Sequence, residues 1–189
     1  MAKVLNQQFF QRPAIEVAKN LLGKVLVRKY RHRKIFLIIN ETEAYVGPQD
    51  LASHASKGKT KRTAAMFESG GVFYIYLIYG MYLMTNIVTD KENYPAAVLL
   101  RGGLSLDGKQ ITGPGRLSKF LKINKNFYGL KASPANNLWF EDWNIKPEKI
   151  FARKRIGVEY AKEWKDKPYN FLAKKFLAFK KPSIFPQSK

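Results

Sequence analysis

The stretch at 72–88, VFYIYLIYGMYLMTNIV, consists of two apolar and aromatic runs on either side of one glycine. The runs 72–79 and 82–88 are rich in the β-branched and aromatic residues that are typical of β-strands. Gly80 lies between them and tolerates the positive φ angles that tight hairpin turns require. The sequence therefore predicts a β-hairpin, with Tyr79 either facing away from Tyr76 or lying at the tip beside Gly80.

The rest of the chain alternates short apolar runs with turn residues. Pro13 suits the start of a helix, and Gly23 suits the cap that ends it. The segment 46–65 is rich in Gly, Pro, Ser and Lys, which predicts a long ordered loop of the kind that usually carries function. The other predicted elements are, in chain order, a helix over 13–22, strands over 24–30 and 35–43 joined by a basic link at 31–34, a strand over 96–101, a helix over 114–122, and sheet-closing segments at 149–155 and around 169–172.

Many short strands and few helices indicate an α/β or α+β fold with a largely antiparallel sheet. The pair Gly102-Gly103 is expected to form a turn. The last ten residues, 180–189, are expected to be loosely structured.

The charge balance points to an anionic partner. The chain has 34 Lys and Arg against 14 Asp and Glu, a net charge of +20. Nucleic acid is the commonest partner of such a domain, followed by acidic membranes. Residues 151–189 hold 11 basic and 3 acidic residues, so the excess is spread along the chain and predicts a basic surface rather than a basic tail.

The residue inventory excludes several kinds of site. The chain has no cysteine, which rules out disulfides, iron–sulfur clusters and thiolate zinc sites. Only His32 and His54 are present, so we expect no histidine metal centre and no cofactor. The sequence shows no signal-peptide run and no stretch near the ~20 apolar residues of a membrane span. We therefore expect a cytoplasmic protein that acts without a membrane.

The segment Glu41-Thr42-Glu43-Ala44-Tyr45 ends a predicted apolar strand. Alternate residues of a strand share one face, so Glu41, Glu43 and Tyr45 should point the same way. Two carboxylates beside an aromatic ring suit acid–base chemistry. A solvated strand end remains the alternative that spacing alone leaves open.

The tyrosines of the hairpin form a second candidate site. Tyr74 and Tyr76 share a strand face and could form one wall of a base pocket. An exposed Tyr79 at the tip could act as a wedge between base pairs. Ordinary sheet tyrosines are the competing interpretation.

Four further features add polar groups. His54 lies in the predicted loop, and Asn86 lies inside a strand, where Asn is disfavoured and a ligand contact or buried hydrogen bond would explain it. Arg101 ends its predicted strand, where it is either solvated or directed into a site beside carboxylates. The turn at 113–116, GPGR, precedes a predicted helix, and its N–H groups could hold a phosphate.

Taken together, these residues resemble the alkyladenine (3-methyladenine) DNA glycosylase family, the methylpurine glycosylases. The matching segments are ETEAYVGPQDLASH at 41–54, KRTAAMF at 61–67, VFYIYLIYGMYLMTNIV at 72–88, AVLLR at 97–101 and GPGRLSKFLKI at 113–123. The resemblance implies a single α+β domain over residues 1–189, with a curved, mainly antiparallel sheet flanked by helices and a protruding β-hairpin.

The resemblance also implies a role for each matching residue. The implied assignments are Glu43 and Arg101 for catalysis, Tyr45, His54, Tyr76 and Asn86 for the base pocket, Tyr79 for insertion into the minor groove, and Arg62 and Arg116 for the DNA backbone. Asn86 matches a residue thought to clash with the exocyclic amino group of guanine.

The implied partner is double-stranded DNA that contains damaged purines. The implied enzyme is a monomeric, monofunctional glycosylase that needs no metal and works on nucleoid DNA. It would flip 3-methyladenine, 7-methylguanine, hypoxanthine or ethenoadenine and hydrolyse the N-glycosidic bond with water. Three alternatives remain: a lysine nucleophile that also cuts the strand, a binding protein without activity, and an inactive relative, against which Glu43 and Arg101 argue.

Overall fold

The computed structural model describes residues 2–177 and is built on an antiparallel sheet. The expectation for residues 180–189 lies outside the described residues. The strands are β1 Lys3–Val4, β2 Val25–Tyr30, β3 Arg33–Tyr45, β4 Phe73–Ile78, β5 Tyr82–Thr89, β6 Ala96–Ser105, β7 Gln110–Thr112, β8 Leu138–Asp142, β9 Ile150–Arg153 and β10 Asn170–Ala173. Their order is β1-β8-β2-β3-β6-β5-β4, with β7 paired to β6 and with β10 paired to β3 and β9. The predicted α+β class and antiparallel sheet are confirmed.

Helices cover one face of this sheet. They are α1 Gln7–Phe10, α2 Ala14–Leu21 and α3 Pro114–Phe120. Helix α2 packs on β3 and β6, and α3 packs on β5 and β6, so the main apolar core lies between these helices and the sheet. No described helix is long and apolar enough to cross a membrane.

The ends of α2 differ slightly from the prediction. Pro13 caps the helix rather than starting it, and Leu22 is already extended. Gly23 follows with φ +86°, and a Cβ there would lie 2.3 Å from the carbonyl oxygen of Ile145. Glycine is therefore required for both its backbone angle and its close contact.

Two strands are longer than predicted. The turn between β2 and β3 needs only Arg31 and His32, because Tyr30 already pairs with Arg33. The pair Gly102-Gly103, expected as a turn, lies inside β6, where β7 pairs with both residues. A Cβ on Gly103 would lie 2.6 Å from the carbonyl oxygen of Ile38, so glycine permits a close approach of two strands here rather than a change of direction.

An irregularity between β3 and β6 controls which side chains reach the open face. Ile39 pairs with Gly103, Glu41 with Gly102 and Thr42 with Leu100, which leaves Asn40 and Arg101 as extra residues. An extra residue shifts the alternation of a strand by one position. The face that bears Leu37 and Ile39 before the bulge therefore bears Thr42 and Ala44 after it. Glu41, Glu43 and Tyr45 consequently point away from the helices.

The sequence did not predict α1, β1, β7, β8 or the five short 3-10 helices. These elements span two to five residues, which is too short for periodicity to reveal. The predicted loop 46–65 is confirmed as a connection without strands, and it contains the 3-10 helix His54–Lys57 and the start of another, Ala64–Phe67. The segments predicted to close the sheet are β9 and β10.

Candidate active site

A cleft of about 700 Å³ opens on the sheet face that the helices leave free. Its walls come from β3, β6, the β4–β5 hairpin, the loop around His54, the start of α3 and the segment after β9. The predicted site residues that line it are Tyr45, His54, Arg62, Tyr76, Tyr79, Asn86, Arg101 and Arg116. Glu43, the ninth, lies just beneath, with its side chain 0% exposed.

The Glu43 carboxylate is held at both oxygens. Oε1 accepts hydrogen bonds from the backbone N–H of Ile156 at 2.9 Å and from Asn170 Nδ2 at 3.0 Å. Oε2 has longer contacts, 3.2 Å to the Tyr45 hydroxyl and 3.4 Å to Arg101 Nη1. Tyr45, Arg101 and Ile156 all line the cleft, so each oxygen has a partner in its wall.

Glu41 lies beside Glu43 but has different partners. Its Oε1 lies 3.0 Å from Arg153 Nη2 and 3.5 Å from Arg101 Nε. Asn170 Nδ2 also donates to Glu41, at 2.9 Å, so this amide bridges the two carboxylates. Arg153 donates to Asn170 Oδ1 through Nε and Nη2 at 3.1 and 2.9 Å, which fixes the orientation of the amide.

A buried ion pair supports the Tyr45 wall. Arg155 and Asp50 are both 0% exposed at the side chain and form two contacts, of 2.5 and 2.8 Å. The Arg155 guanidinium lies 4.8 Å from the centre of the Tyr45 ring, and burial, followed by the Glu43 charge, raises the pKa of Tyr45 well above its ordinary value. The Tyr45 hydroxyl therefore stays protonated and can donate to Glu43.

A second part of the cleft wall is aromatic and neutral. His54 and Tyr76 contact each other edge to face, with ring centres 4.6 Å apart, and His54 Nδ1 lies 2.9 Å from the Tyr74 hydroxyl. Burial, together with the charges of Arg62 and Lys57, lowers the pKa of His54 to about 4. Burial likewise raises the pKa of Tyr74 to about 12. At neutral pH, these three rings carry no charge.

Asn86 lies buried in the strand wall between the two halves of the cleft. Its Nδ2 donates to the carbonyl oxygen of Tyr74 at 3.0 Å. Asn86 also pairs with Leu99 across β5 and β6, and both residues line the cleft. This hydrogen bond to the neighbouring strand explains how an amide is tolerated in β5.

The hairpin tip projects beside the cleft. The strands β4 and β5 are joined by Tyr79, Gly80 and Met81, and Tyr79 adopts φ +50° outside the strand that was predicted to include it. Tyr79 is 82% exposed and Met81 is 68% exposed. An aromatic side chain so exposed on a rigid two-stranded support is placed to enter a partner rather than to pack in the core.

Comparisons with known proteins identify the family of this chain. A family model described as methylpurine-DNA glycosylase matches residues 8–176. The chain belongs to this family. It is 42% identical to a protein of Methanocella arvoryzae over 90% of this chain and 92% of the relative. It is also 38% identical to a protein of Psychrobacter cryohalolentis (87% and 90%) and 42% identical to one of Anaeromyxobacter sp. (88% and 87%). All three carry the name "Putative 3-methyladenine DNA glycosylase".

The resemblance expected from the sequence is thus confirmed, and the chain is a DNA glycosylase, a hydrolase of DNA repair. In this glycosylase, Arg101 does not end a strand as expected. It is the extra residue of the bulge in β6, and from there it reaches both Glu41 and Glu43.

The two predicted backbone-binding arginines lie at different places in the glycosylase. Arg116 is exposed on α3 at the cleft edge. The Arg62 guanidinium lies 5.3 Å from the centre of the Tyr76 ring, on the aromatic wall. Gly115 lets α3 approach the hairpin, since a Cβ there would lie 2.9 Å from the Tyr82 ring.

Sequence reasoning missed the residues that support Glu43 in the glycosylase. Asn170, Arg153 and the N–H of Ile156 come from a distant part of the chain, and the Asp50–Arg155 pair spans 105 positions. No local pattern marks them. Among residues 2–177, no cluster of three or more His, Cys, Asp or Glu is arranged to hold a metal.

Proposed function

We propose that the chain is a monofunctional glycosylase of base excision repair. It flips alkylated or deaminated purines out of duplex DNA, among them 3-methyladenine, 7-methylguanine, hypoxanthine and ethenoadenine. It then hydrolyses the N-glycosidic bond with water activated by Glu43. The observation that carries this proposal is the buried Glu43 carboxylate beside an aromatic cleft, with two short hydrogen bonds at Oε1 and two longer contacts at Oε2.

The two oxygens of Glu43 suit different tasks. Oε1 already accepts two hydrogen bonds of 2.9 and 3.0 Å, which orient the carboxylate. Oε2, with contacts of 3.2 and 3.4 Å, is the oxygen we assign to the attacking water. Arg101 Nη1 beside Oε2 would hold that water, and the ionised carboxylate would stabilise the cationic sugar of the transition state.

The cleft walls suit a flipped purine. Tyr45 on one side and His54 with Tyr76 on the other present the ring faces and edges that a base can stack upon. N-alkylated purines such as 7-methylguanine are cationic, so they leave without a proton donor and gain cation–π attraction. Asn86 lines the same cleft, and in this proposal it rejects the exocyclic amino group of guanine.

The basic groups at the cleft favour water as the nucleophile. Those that line it within residues 2–177 are Arg62, Arg101 and Arg116. Schiff-base glycosylases attack with an amine, whereas a guanidinium remains protonated. The proposal further includes duplex DNA of the nucleoid as the partner, a monomer as the active form, and catalysis without a cofactor or metal.

The test measures free base and strand breaks from duplexes that carry one lesion each, in EDTA. We expect base release, with strand breaks appearing only after heating in alkali, and cationic purines released faster than hypoxanthine. Strand breaks without alkali would establish a lysine nucleophile instead. Tight, salt-sensitive DNA binding with no base release would make the chain a binding protein.

A further inference from the structure

We propose that the basic hairpin, formed by Lys29, Arg31, His32, Arg33 and Lys34, is a second contact to the DNA backbone about one helical turn from the flipped nucleotide. The inference rests on the proposed function, because it requires duplex DNA in the cleft. These residues occupy the β2–β3 turn and the strand ends beside it, away from the residues that line the cleft.

The charge of the basic hairpin is exposed and uncompensated. All five side chains are exposed, and no ion pair of residues 2–177 includes any of them. The chain has no Asp or Glu from position 17 to position 40. This charge is therefore free to attract an anionic partner.

The arrangement of charge opposes stability of the hairpin itself. Lys29 pairs directly with Lys34 across the two strands. Like charges placed opposite each other destabilise a sheet, so packing within the hairpin does not account for their position. The Lys34 Nζ lies 5.6 Å from the centre of the Trp139 ring, which holds this ammonium at the sheet surface.

The basic hairpin lies on the same face of the sheet as the cleft. Lys29 and Lys34 share the side of Val27 and Ile38, which is opposite to the helix-covered side of Leu26 and Leu37. Because the bulge shifts the alternation of β3, this is also the side of Glu43. A duplex lying across this face would contact both the basic hairpin and the cleft.

The direction of the strands and the length of β3 suit one continuous duplex that contacts both the basic hairpin and the cleft. The strands β3 and β5 flank β6 and are both antiparallel to it, so the turns that precede them lie at the same end of the sheet. Ten residues separate Arg33 from Glu43, or about 33 Å at ~3.3 Å per residue. This length is close to the ~34 Å of ten base pairs, since phosphates of one strand repeat every ~3.4 Å.

The experiment compares two triple variants that lose the same charge. One is Lys29→Gln, Arg31→Gln, Lys34→Gln in the basic hairpin. The control is Lys19→Gln, Lys119→Gln, Lys125→Gln, whose exposed lysines lie on α2, on α3 and just after α3. Binding to undamaged 30-base-pair and 10-base-pair duplexes is measured from 50 to 200 mM salt.

The salt slope is the slope of the logarithm of the binding constant against the logarithm of the salt concentration. We expect its magnitude to fall in the hairpin variant by about 0.9 for each phosphate contact removed, a total of about 2.7 for three contacts. On the 30-base-pair duplex the wild type would then lose about 40-fold more affinity than this variant across that salt range. The control should keep the wild-type slope. A 10-base-pair duplex is about as long as the distance between the two sites, so few of its binding positions reach both, and the difference in slope between the hairpin variant and the wild type should be smaller there.

Equal slope changes in both variants, or an unchanged slope in the hairpin variant, would overturn the inference. Thermal melts should show the hairpin variant at least as stable as the wild type, because a repulsive pair has been removed. Base release from a saturating short lesion duplex should stay unchanged. Failure of the wild type to release any base would refute the proposed function alone, since the salt slopes are measured on undamaged DNA.

Discussion

The two ends of the cleft are built in opposite ways. At the floor, Glu43 is fully buried and held by groups from β6, β10 and the segment after β9. At the rim, Tyr79 is 82% exposed on a hairpin turn without side-chain partners that restrain it in the described structure. Chemistry at an ionised carboxylate requires a preorganised, water-poor site, whereas entry into a base stack requires an accessible ring. The contrast predicts that damage to the floor affects the rate of bond cleavage, while damage to the tip affects the capture of the flipped state.

The largest effect is expected at the floor. Glu43→Gln should lower single-turnover base release by about 10²–10⁴-fold, because the amide keeps the shape but cannot accept the proton of water. Affinity for lesion DNA should remain near wild type. The matched control is Glu41→Gln, two residues away on the same face. If the Glu41 variant is the inactive one, the general base is Glu41 and the role assigned to Glu43 is wrong.

The next effect is expected at the tip. Tyr79→Ala should weaken lesion-specific binding and base flipping by about 10–100-fold, since stacking of one aromatic ring on a base contributes ~1–3 kcal/mol. Flipping can be followed by the fluorescence of ethenoadenine in the duplex. Tyr79→Phe keeps the ring and should flip normally. Equal losses on damaged and undamaged duplexes would show that Tyr79 acts as a general DNA contact instead.

A smaller effect is expected from Asn170→Ala, which tests whether the groups around Glu43 at the cleft floor control the rate of bond cleavage. This change removes a buried donor to Glu43 and leaves Arg153 with fewer partners, so base release should slow by roughly 10-fold, in line with the lower end of the ~1.5–3 kcal/mol for a hydrogen bond to a charged group. The pH profile of single-turnover cleavage should shift as well, and Leu172→Ala on the same strand should leave it in place. A slower reaction with an unmoved pH profile would reduce Asn170 to a packing role.

The smallest effect concerns the neutral His54 wall. Since the folded state holds the pKa of His54 at about 4 and an unfolded histidine has ~6.5, the unfolded state binds more protons between these values. The contribution of His54 to stability is therefore complete above pH ~6.5 and falls as pH drops toward 4. Thermal melts from pH 4 to 8 should show less acid sensitivity in His54→Gln. Identical melting profiles would mean that folding does not lower the pKa of His54.

Local sequence predicted the elements that depend on neighbouring residues. The β4–β5 hairpin follows from two apolar runs around Gly80, and its tip places Tyr79 outside the strand. The facing of Glu41, Glu43 and Tyr45 follows from strand alternation over five residues. The roles of these residues stay predictions, because they rest on the family resemblance and on the geometry of the cleft.

What the sequence by itself determined was the inventory: the carboxylate pair, the tyrosines, the glycines that permit the turn and the positive charge. Only the tertiary structure decided that the bulge at Asn40 and Arg101 directs the carboxylates to the open face, and that Asn170, Arg153 and Ile156 hold them there. The physical reason is range. Turns and strand alternation depend on residues a few positions apart, whereas hydrogen bonds to a buried carboxylate depend on which distant strands pack beside it.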